Sequence, residues 1–212
     1  MESPLDIQKL NKNYNIDTTV EYAVRDFAKS DLAEMIGCCA FTPADGGFTL
    51  RFIDRTLNVT YPEGVVTYAD DSAAVPDIVR ILVLHHAVNA HRVPLSAHTI
   101  SFKELPGGDI YIGPFTNRCI RYLCGVFGNN IAALKQAVAR TEHREESFGD
   151  YSATIQVMPR VPVTLIVYEG DDEFPANANI LFNGSAADLL PTEDYTQLSA
   201  FLIGALKKLA FA

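Results

Sequence analysis

Apolar residues first recur along the chain with the period of a helix. Between residues 18 and 29, four apolar positions fall on one helical face: Val20, Val24, Phe27 and Ala28. Thr18 and Glu21 have the spacing of a capping box, in which each side chain accepts a hydrogen bond from the other residue's main-chain N–H. The pattern predicts an amphipathic helix over residues 18–29, and residues 31–36 predict a further short helix that ends near Gly37.

The period then changes to two. Apolar and polar residues alternate over residues 48–52 and 57–61, and a third apolar run covers residues 65–68. Turns that contain Asp, Gly or Pro separate the three runs. This part of the sequence predicts three antiparallel strands in a meander.

Helical and strand patterns mix over the rest of the chain. Helices are predicted at 78–90 (opened by Pro76), 115–127, 131–140 and 191–209, with a brief capped helix at 185–188. Strands are predicted at 98–105, 152–158, 161–168 and 180–182, and Pro106-Gly107-Gly108 predicts a break in the chain. The predicted fold class is α+β, with mainly antiparallel sheets covered by helices.

A charged segment at residues 142–146 predicts a solvated connector, which is the best position for a domain boundary. Elsewhere the composition is even along the chain. It therefore favours a single compact domain over residues 1–212, with a subdivision near residues 142–150 as the alternative.

Composition narrows the class of function. The 212 residues carry a formal net charge of −9, and an acidic surface opposes binding to nucleic acid and to anionic membranes. The polar amino terminus predicts no secretory signal, and the longest apolar runs are shorter than the ~20 residues that span a bilayer. The sequence therefore predicts a cytoplasmic protein whose four cysteines are free thiols.

Four carboxylates follow directly after the apolar strand predicted at residues 161–168: Glu169, Asp171, Asp172 and Glu173. Loops after buried strands often carry functional groups, and clustered carboxylates can hold Mg²⁺, Ca²⁺ or a cationic ligand. The alternative is a solvent-exposed hairpin turn whose acids serve solubility. Phe174 and Pro175 come next, which predicts that this acidic loop (residues 169–173) returns quickly to the core.

Two further segments combine a special backbone with charge. Arg160 lies between two prolines, so its guanidinium can make a forked contact with a phosphate or carboxylate, or an internal ion pair with the acidic loop. Gly107 and Gly108 let the backbone approach a ligand, and Glu104 lies just before them. The alternative for this diglycine turn is a plain change of direction.

Three histidines lie on or near the helix predicted at residues 78–90: His85, His86 and His91. Spacings of one and six residues do not place two imidazoles on one helical face, so a metal-binding pair is not predicted there. One of His85 and His86 is instead predicted to be a hydrogen-bonded core residue.

Five segments resemble the domain-of-unknown-function family 3786 (DUF3786). They are ISFKELPGG at residues 100–108, PRVP at 159–162, GDDEFP at 170–175, ILF at 180–182 and LPTED at 190–194. The resemblance extends over residues 20–206, and the order of the segments is distinctive. It implies that Glu104, Arg160, the acidic loop and Glu193-Asp194 belong to one architecture, whether structural or functional.

The family resemblance also implies a biological setting. The family that the chain resembles is found mostly in anaerobic microbes. Some of its members are joined to an iron–sulfur domain like that of corrinoid proteins. The resemblance implies no established reaction. Because this chain has no cysteine-rich segment, any cluster would belong to a partner protein.

Two functional hypotheses follow. The first is a ligand-binding or accessory module in anaerobic cofactor or one-carbon (corrinoid-related) metabolism, with a small molecule or a corrinoid or iron–sulfur protein as partner. It predicts that charged groups converge beside the diglycine turn, with these ligand-binding residues: Glu104, Gly107, Gly108, Arg160, Asp171, Asp172, Glu173 and Asp194. The second is a divalent-metal-assisted hydrolase or transferase that uses Asp171, Asp172, Glu173 or Glu193. A purely structural role in an assembly is a third alternative, and no cofactor is identified.

Overall fold

The computed structural model describes residues 16–90 and 92–212. Its α-helices are α1 (Ile16–Lys29), α2 (Leu32–Cys39), α3 (Asp77–Asn89), α4 (Gly108–Phe115), α5 (Arg121–Phe127), α6 (Ile131–Val138) and α7 (Thr192–Phe211). Its strands are β1 (Thr42–Ala44), β2 (Gly47–Phe52), β3 (Arg55–Thr60), β4 (Val66–Tyr68), β5 (Thr99–Ser101), β6 (His143–Glu146), β7 (Tyr151–Met158), β8 (Val161–Tyr168) and β9 (Asn177–Asn183). All strand pairs are antiparallel, so the predicted α+β fold class is confirmed.

The first two helices begin and end for local reasons. α1 begins before Thr18, which therefore lies inside the helix, and the capping box predicted there is wrong. Asp31 caps α2, because its carboxylate accepts a hydrogen bond from Glu34 N. α2 continues past Gly37 and ends where Ala40 adopts the left-handed conformation, with φ of 57°.

The first sheet has the strand order β1-β2-β3-β4, which is sequence order. The predicted meander is confirmed, and the short strand β1 is added to it. Apolar side chains that alternate along β2 and β3 are buried: Phe48, Leu50, Phe52, Leu57 and Val59. α1 packs on this sheet, since the rings of Phe27 and Phe48 meet edge to face with their centroids 6.2 Å apart.

The second sheet has the order β5-β9-β8-β7-β6. Its middle strand β8 is the apolar run of the sequence analysis, which explains why Val163, Leu165 and Val167 are buried. The charged segment predicted as a connector is instead the edge strand β6, paired to β7 through Arg144 and Thr154. Charged side chains on an edge strand discourage pairing with another chain.

The segment between β5 and α6 is more helical than the sequence predicts. The strand predicted over residues 98–105 ends at Ser101, where a 3₁₀ turn (Phe102–Glu104) begins. α4 begins at Gly108, well before the predicted helix start at residue 115, and contains Pro114. A π-helical turn (Thr116–Ile120) continues α4 into α5, so residues 108–127 form one helical run.

One hydrophobic core connects the two sheets. Ile53 N donates a hydrogen bond of 2.7 Å to Val157 O, and the rings of Phe52 and Phe201 meet with centroids 5.6 Å apart. The helices α5 and α6 contact the second sheet. Ser152, Thr154 and Gln156 of β7 lie on the opposite face of this sheet, where Thr154 and Gln156 remain partly accessible to solvent.

Two further features concern the cysteines and the helices. All four cysteines are free thiols, as predicted. Over residues 16–90 and 92–212, no helix combines the length and the apolar character that crossing a bilayer requires. The cytoplasmic location remains a prediction.

Candidate functional site

The structure places the start of α7, which carries Asp194, beside the diglycine turn, since Thr192 Oγ1 donates to Pro106 O at 2.8 Å, but it keeps the acidic loop away from that turn. The acidic loop lies at the tip of the β8–β9 hairpin and contacts the end of α5, where Gly170 N donates to Gly128 O at 3.2 Å. The diglycine turn lies at the other end of the same helical run, at Gly108. A run of this length, at a rise of 1.5 Å per residue, separates its ends by roughly 30 Å. The predicted convergence of the acidic loop and the diglycine turn is therefore not found.

The acidic loop is an exposed turn. Asp171 Oδ1 accepts hydrogen bonds from Phe174 N at 2.7 Å and Glu173 N at 2.9 Å. These two main-chain donors, Phe174 first, lower the pKa of the Asp171 carboxyl below its usual value. The Phe174 side chain is 68% exposed, so the predicted return of the loop to the core is wrong at this residue. Asp172 is also exposed, which fits the alternative of a solvated turn.

Arg160 stabilises the turn between β7 and β8. Its φ of 66° is left-handed, and its guanidinium donates to the main-chain carbonyls of Cys38 and Val93. These bonds attach the turn to the end of α2 and to the segment after α3. The eight residues of β8 separate Arg160 from the acidic loop. The predicted ion pair between them is therefore replaced by contacts to carbonyl groups.

The residues around the diglycine turn interact locally. Glu104 Oε2 accepts hydrogen bonds from Ser101 N at 2.7 Å and Ser101 Oγ at 2.8 Å. These bonds, the main-chain one first, lower the pKa of Glu104. Gly107 has φ of 71°, and a Cβ on Gly108 would lie 1.9 Å from Phe102 O. Both glycines are thus explained by the turn into α4, as the plain-turn alternative states.

Asp194 is the predicted site residue with the most distinctive environment. It is only 7% exposed, and its Oδ2 lies 2.7 Å from His85 Nδ1, a partner that the sequence does not reveal. Burial lowers the pKa of His85, but the hydrogen bond and charge of Asp194, helped by Asp26, outweigh it, and the pKa is raised overall. Burial, with the charge of Asp194, raises the pKa of Glu193.

His86 is the core histidine predicted from the sequence. It is fully buried, with Nδ1 3.1 Å from Leu189 O and Nε2 3.0 Å from Pro159 O. Burial lowers its pKa to about 4. A neutral ring carries one N–H, so at any moment one of the two carbonyls receives a hydrogen bond.

The second functional hypothesis predicts a group of side chains that bind a divalent metal ion. Within residues 16–90 and 92–212, no group of three His, Cys, Asp or Glu side chains could hold an ion. Metal-assisted hydrolysis or transfer therefore stays a prediction, and the described residues supply no set of ligands for the ion. The individual ligand-binding roles of the predicted site residues also stay predictions.

A polar cleft opens on the face of the second sheet away from α5 and α6. Its volume is about 450 Å³. One wall is residues 95–99, the other is residues 142–144, and the floor comprises Thr154, Gln156, Pro162, Thr164 and Asn183. A second hollow, of about 700 Å³, lies beside Glu169 on the acidic loop and is more open to solvent than the cleft. The cleft is therefore the more enclosed of the two hollows.

A chain of hydrogen bonds crosses the floor of the cleft. Thr154 Oγ1 donates to Glu146 Oε1 at 2.6 Å, and Thr164 Oγ1 lies 2.8 Å from Thr154 Oγ1. The hydrogen bond from Thr154 is the main cause of a lowered pKa of Glu146, to which Arg144 adds against partial burial. Arg144 Nη2 and Nε both donate to this same carboxylate oxygen, at 2.7 and 3.0 Å.

This cleft is not predicted from the sequence, although part of its signal is visible there. Ser152, Thr154 and Gln156 alternate with apolar residues along β7, and Thr164 interrupts the apolar run of β8. This alternation marks a polar sheet face. The walls come from segments that are distant in the sequence, and no local pattern reveals their proximity.

The fold and the cleft define an α+β protein with a small polar hollow on one antiparallel sheet. Residues 30–205 match a family described as "Domain of unknown function (DUF3786)". The chain belongs to this family, and the resemblance identified from its sequence segments is confirmed. No curated protein and no solved structure matches the chain. Fusion of relatives to iron–sulfur domains remains an expectation.

Proposed function

We propose that the protein is a ligand-binding or accessory module and that the cleft on the second sheet is its binding site. The observation that supports this proposal is a half-open cleft of about 450 Å³ whose lining residues are mostly polar. Small-molecule sites typically measure ~300–1,000 Å³. The proposal replaces the predicted site between the acidic loop and the diglycine turn.

The family resemblance supports a finer proposal. In it, the protein acts in anaerobic cofactor or one-carbon metabolism, together with a corrinoid or iron–sulfur protein. A corrinoid macrocycle with its side chains is larger than the cleft. The cleft would therefore take a small molecule, while any corrinoid would be carried by the partner protein.

Amide NMR shifts of the full chain test the binding proposal. The probes are glucose, acetate, 1,4-diaminobutane and hydroxocobalamin, each titrated separately. We expect at least one of the three small probes to shift the resonances of Thr154, Thr164 and Asn183. Hydroxocobalamin should leave these resonances unchanged.

A matched pair of variants locates the binding. Thr99 is an exposed position on the edge strand β5 and lines the cleft, whereas Thr67 is exposed on the edge strand β4 of the first sheet. Thr99→Trp should fill the cleft and abolish the shifts, and Thr67→Trp should preserve them. If none of the small probes shifts the cleft resonances, or if Thr99→Trp binds as the natural chain does, the proposal is wrong.

A further inference from the structure

The hydrogen bonds of the cleft floor have a fixed direction. The Glu146 carboxylate only accepts, so Thr154 uses its single hydroxyl proton on Glu146 at 2.6 Å. The hydrogen bond between the two threonines, 2.8 Å long, must then use the proton of Thr164. Both hydroxyl protons are consumed along this chain. The oxygens of Thr154 and Thr164 therefore offer only lone pairs to a ligand.

Two amide side chains in the cleft also use part of their donor capacity within the protein. Gln156 Nε2 donates to Met158 O at 2.7 Å, and Asn183 Nδ2 donates to Ser96 O at 2.9 Å. Their amide donors are thus partly used by the protein itself. Within the described part of the chain, the Gln156 Oε1 atom has no hydrogen-bond partner. His143 Nδ1 lies 3.0 Å from a carbonyl oxygen, so Nε2 of the neutral ring is an acceptor.

The charges around the cleft favour a cation. Arg144 lines it, but its guanidinium is bound to Glu146, which neutralises that positive charge. Glu142 also lines the cleft and forms no ion pair within the described residues. The whole chain adds a formal net charge of −9, which attracts cations over longer distances.

On this basis we infer that the cleft binds a small cationic amine, whose N–H groups donate to the oxygens of Thr154, Thr164 and Gln156 while Glu142 balances its charge. This inference rests on the proposed function, because it assigns a ligand class to the same cleft. An ammonium group carries three donors and no acceptor, which matches the acceptor oxygens of Thr154, Thr164 and Gln156. A carboxylate or phosphate would meet the lone pairs of these oxygens with its own and would be repelled.

The probe that tests the inference is 1,4-diaminobutane, compared with acetate and glycerol by amide NMR shifts of the full chain. We expect the diamine to shift the cleft resonances and acetate to leave them unchanged. Thr164→Val keeps the shape of the side chain and removes the acceptor, so it should weaken diamine binding about tenfold, the effect of losing one charge-assisted hydrogen bond.

Glu146→Gln tests the direction of the hydrogen bonds. An amide at this position can donate to Thr154, which lets the threonine chain reverse and releases the Thr164 proton into the cleft. It also leaves Arg144 without its carboxylate. We therefore expect this variant to lose diamine binding and to gain acetate binding. Glu145→Gln makes the same charge change at the neighbouring position of β6, outside the cleft lining, and should bind the diamine as the natural chain does.

The outcomes separate the inference from the proposed function. If acetate or glycerol shifts the cleft resonances and the diamine does not, the amine inference is wrong and the cleft is still a binding site. If the diamine shifts only resonances of the acidic loop, the inference is also wrong. If no probe shifts the cleft resonances, both proposals fail. If Glu145→Gln and Glu146→Gln lost diamine binding equally, the loss would come from the change in net charge alone. The assigned direction of the hydrogen bonds between Glu146, Thr154 and Thr164 would then be wrong.

Discussion

Single polar side chains fix the relative positions of distant segments in this protein. Arg160 joins the β7–β8 turn to carbonyl groups of α2 and of the segment after α3. His86 lies between Leu189 O and Pro159 O, so it connects α3 with the segment before α7 and with the same turn. Buried groups of this kind are costly when one partner is lost, and for that reason they specify one arrangement of the core.

The pair of His85 and Asp194 should make stability depend on pH. The pKa of His85 is raised in the folded chain, so its contribution is complete below the unfolded pKa of ~6.5 and is lost as pH rises through the higher folded value. The pair is mostly buried, and a charged hydrogen bond of this type contributes ~1.5–3 kcal/mol. We expect the coupling free energy between His85→Gln and Asp194→Asn to be larger near pH 5.5 than near pH 8.5.

Urea unfolding of the natural chain, both single variants and the double variant measures this coupling. Glutamine keeps an N–H donor and does not titrate, and asparagine keeps the shape of aspartate without its charge. Changes in global charge repulsion cancel in the cycle. A coupling energy that is equal at both pH values would show that protonation of His85 does not stabilise the fold.

At the scale of elements, local pattern and long-range topology contribute differently. The periods of the sequence predict the meander, β7, β8, β9 and the last helix, because each depends on which residues alternate within a short window. The predicted helix starts at residue 115, whereas the helical run starts at residue 108, because the pair of glycines in the sequence indicates a break. That error matters for function, because the full run places the diglycine turn far from the acidic loop.

The candidate site also depends on contacts between distant segments, which local sequence patterns do not predict. The residues of the cleft floor give a visible polar alternation on β7, but the walls come from residues 95–99 and 142–144, and only the sheet order β5-β9-β8-β7-β6 brings them near each other. His85 and Asp194 are 109 positions apart in the sequence. Periodicity carries no information on such pairs, so neither the cleft nor the histidine partner could be predicted from it.

The two adjacent glycines before α4 should respond differently to alanine. At Gly108 an added Cβ would lie 1.9 Å from Phe102 O, so the backbone must shift. At Gly107 no heavy atom lies within 4 Å of the added Cβ, and the cost is that of φ 71° for a residue with a side chain. We expect Gly107→Ala to cost ~1–2 kcal/mol of unfolding free energy and Gly108→Ala clearly more, as overpacking against rigid backbone does.

Chemical denaturation of the two variants side by side gives this comparison. Neither substitution changes charge, and the positions differ by one residue, so each serves as the control for the other. Equal losses of unfolding free energy would mean that the close approach to Phe102 O relaxes without cost.

At the scale of the whole molecule, both sheets and α1 share one core. The family match begins at residue 30, after α1, yet Phe27 of α1 is fully buried against the first sheet. Phe102 is buried beside the second sheet, with its ring stacked on Phe115 at a centroid distance of 4.0 Å. The main-chain bond from Ile53 to Val157 and the contact of Phe52 with Phe201 join these two regions.

This shared core predicts a single cooperative unfolding transition. Phe27→Ala and Phe102→Ala remove rings from opposite parts of the core, and each should cost ~3–5 kcal/mol. Because the parts unfold together, each variant should destabilise amide protection in both β3 and β8 by the same amount, as measured by native-state hydrogen exchange. The matched conservative variants Phe27→Leu and Phe102→Leu should show smaller losses in the same two strands. If Phe27→Ala lowered protection only in the first sheet, or Phe102→Ala only in the second, the chain would contain two independently unfolding units. The stability of the cleft would then depend on the second sheet alone.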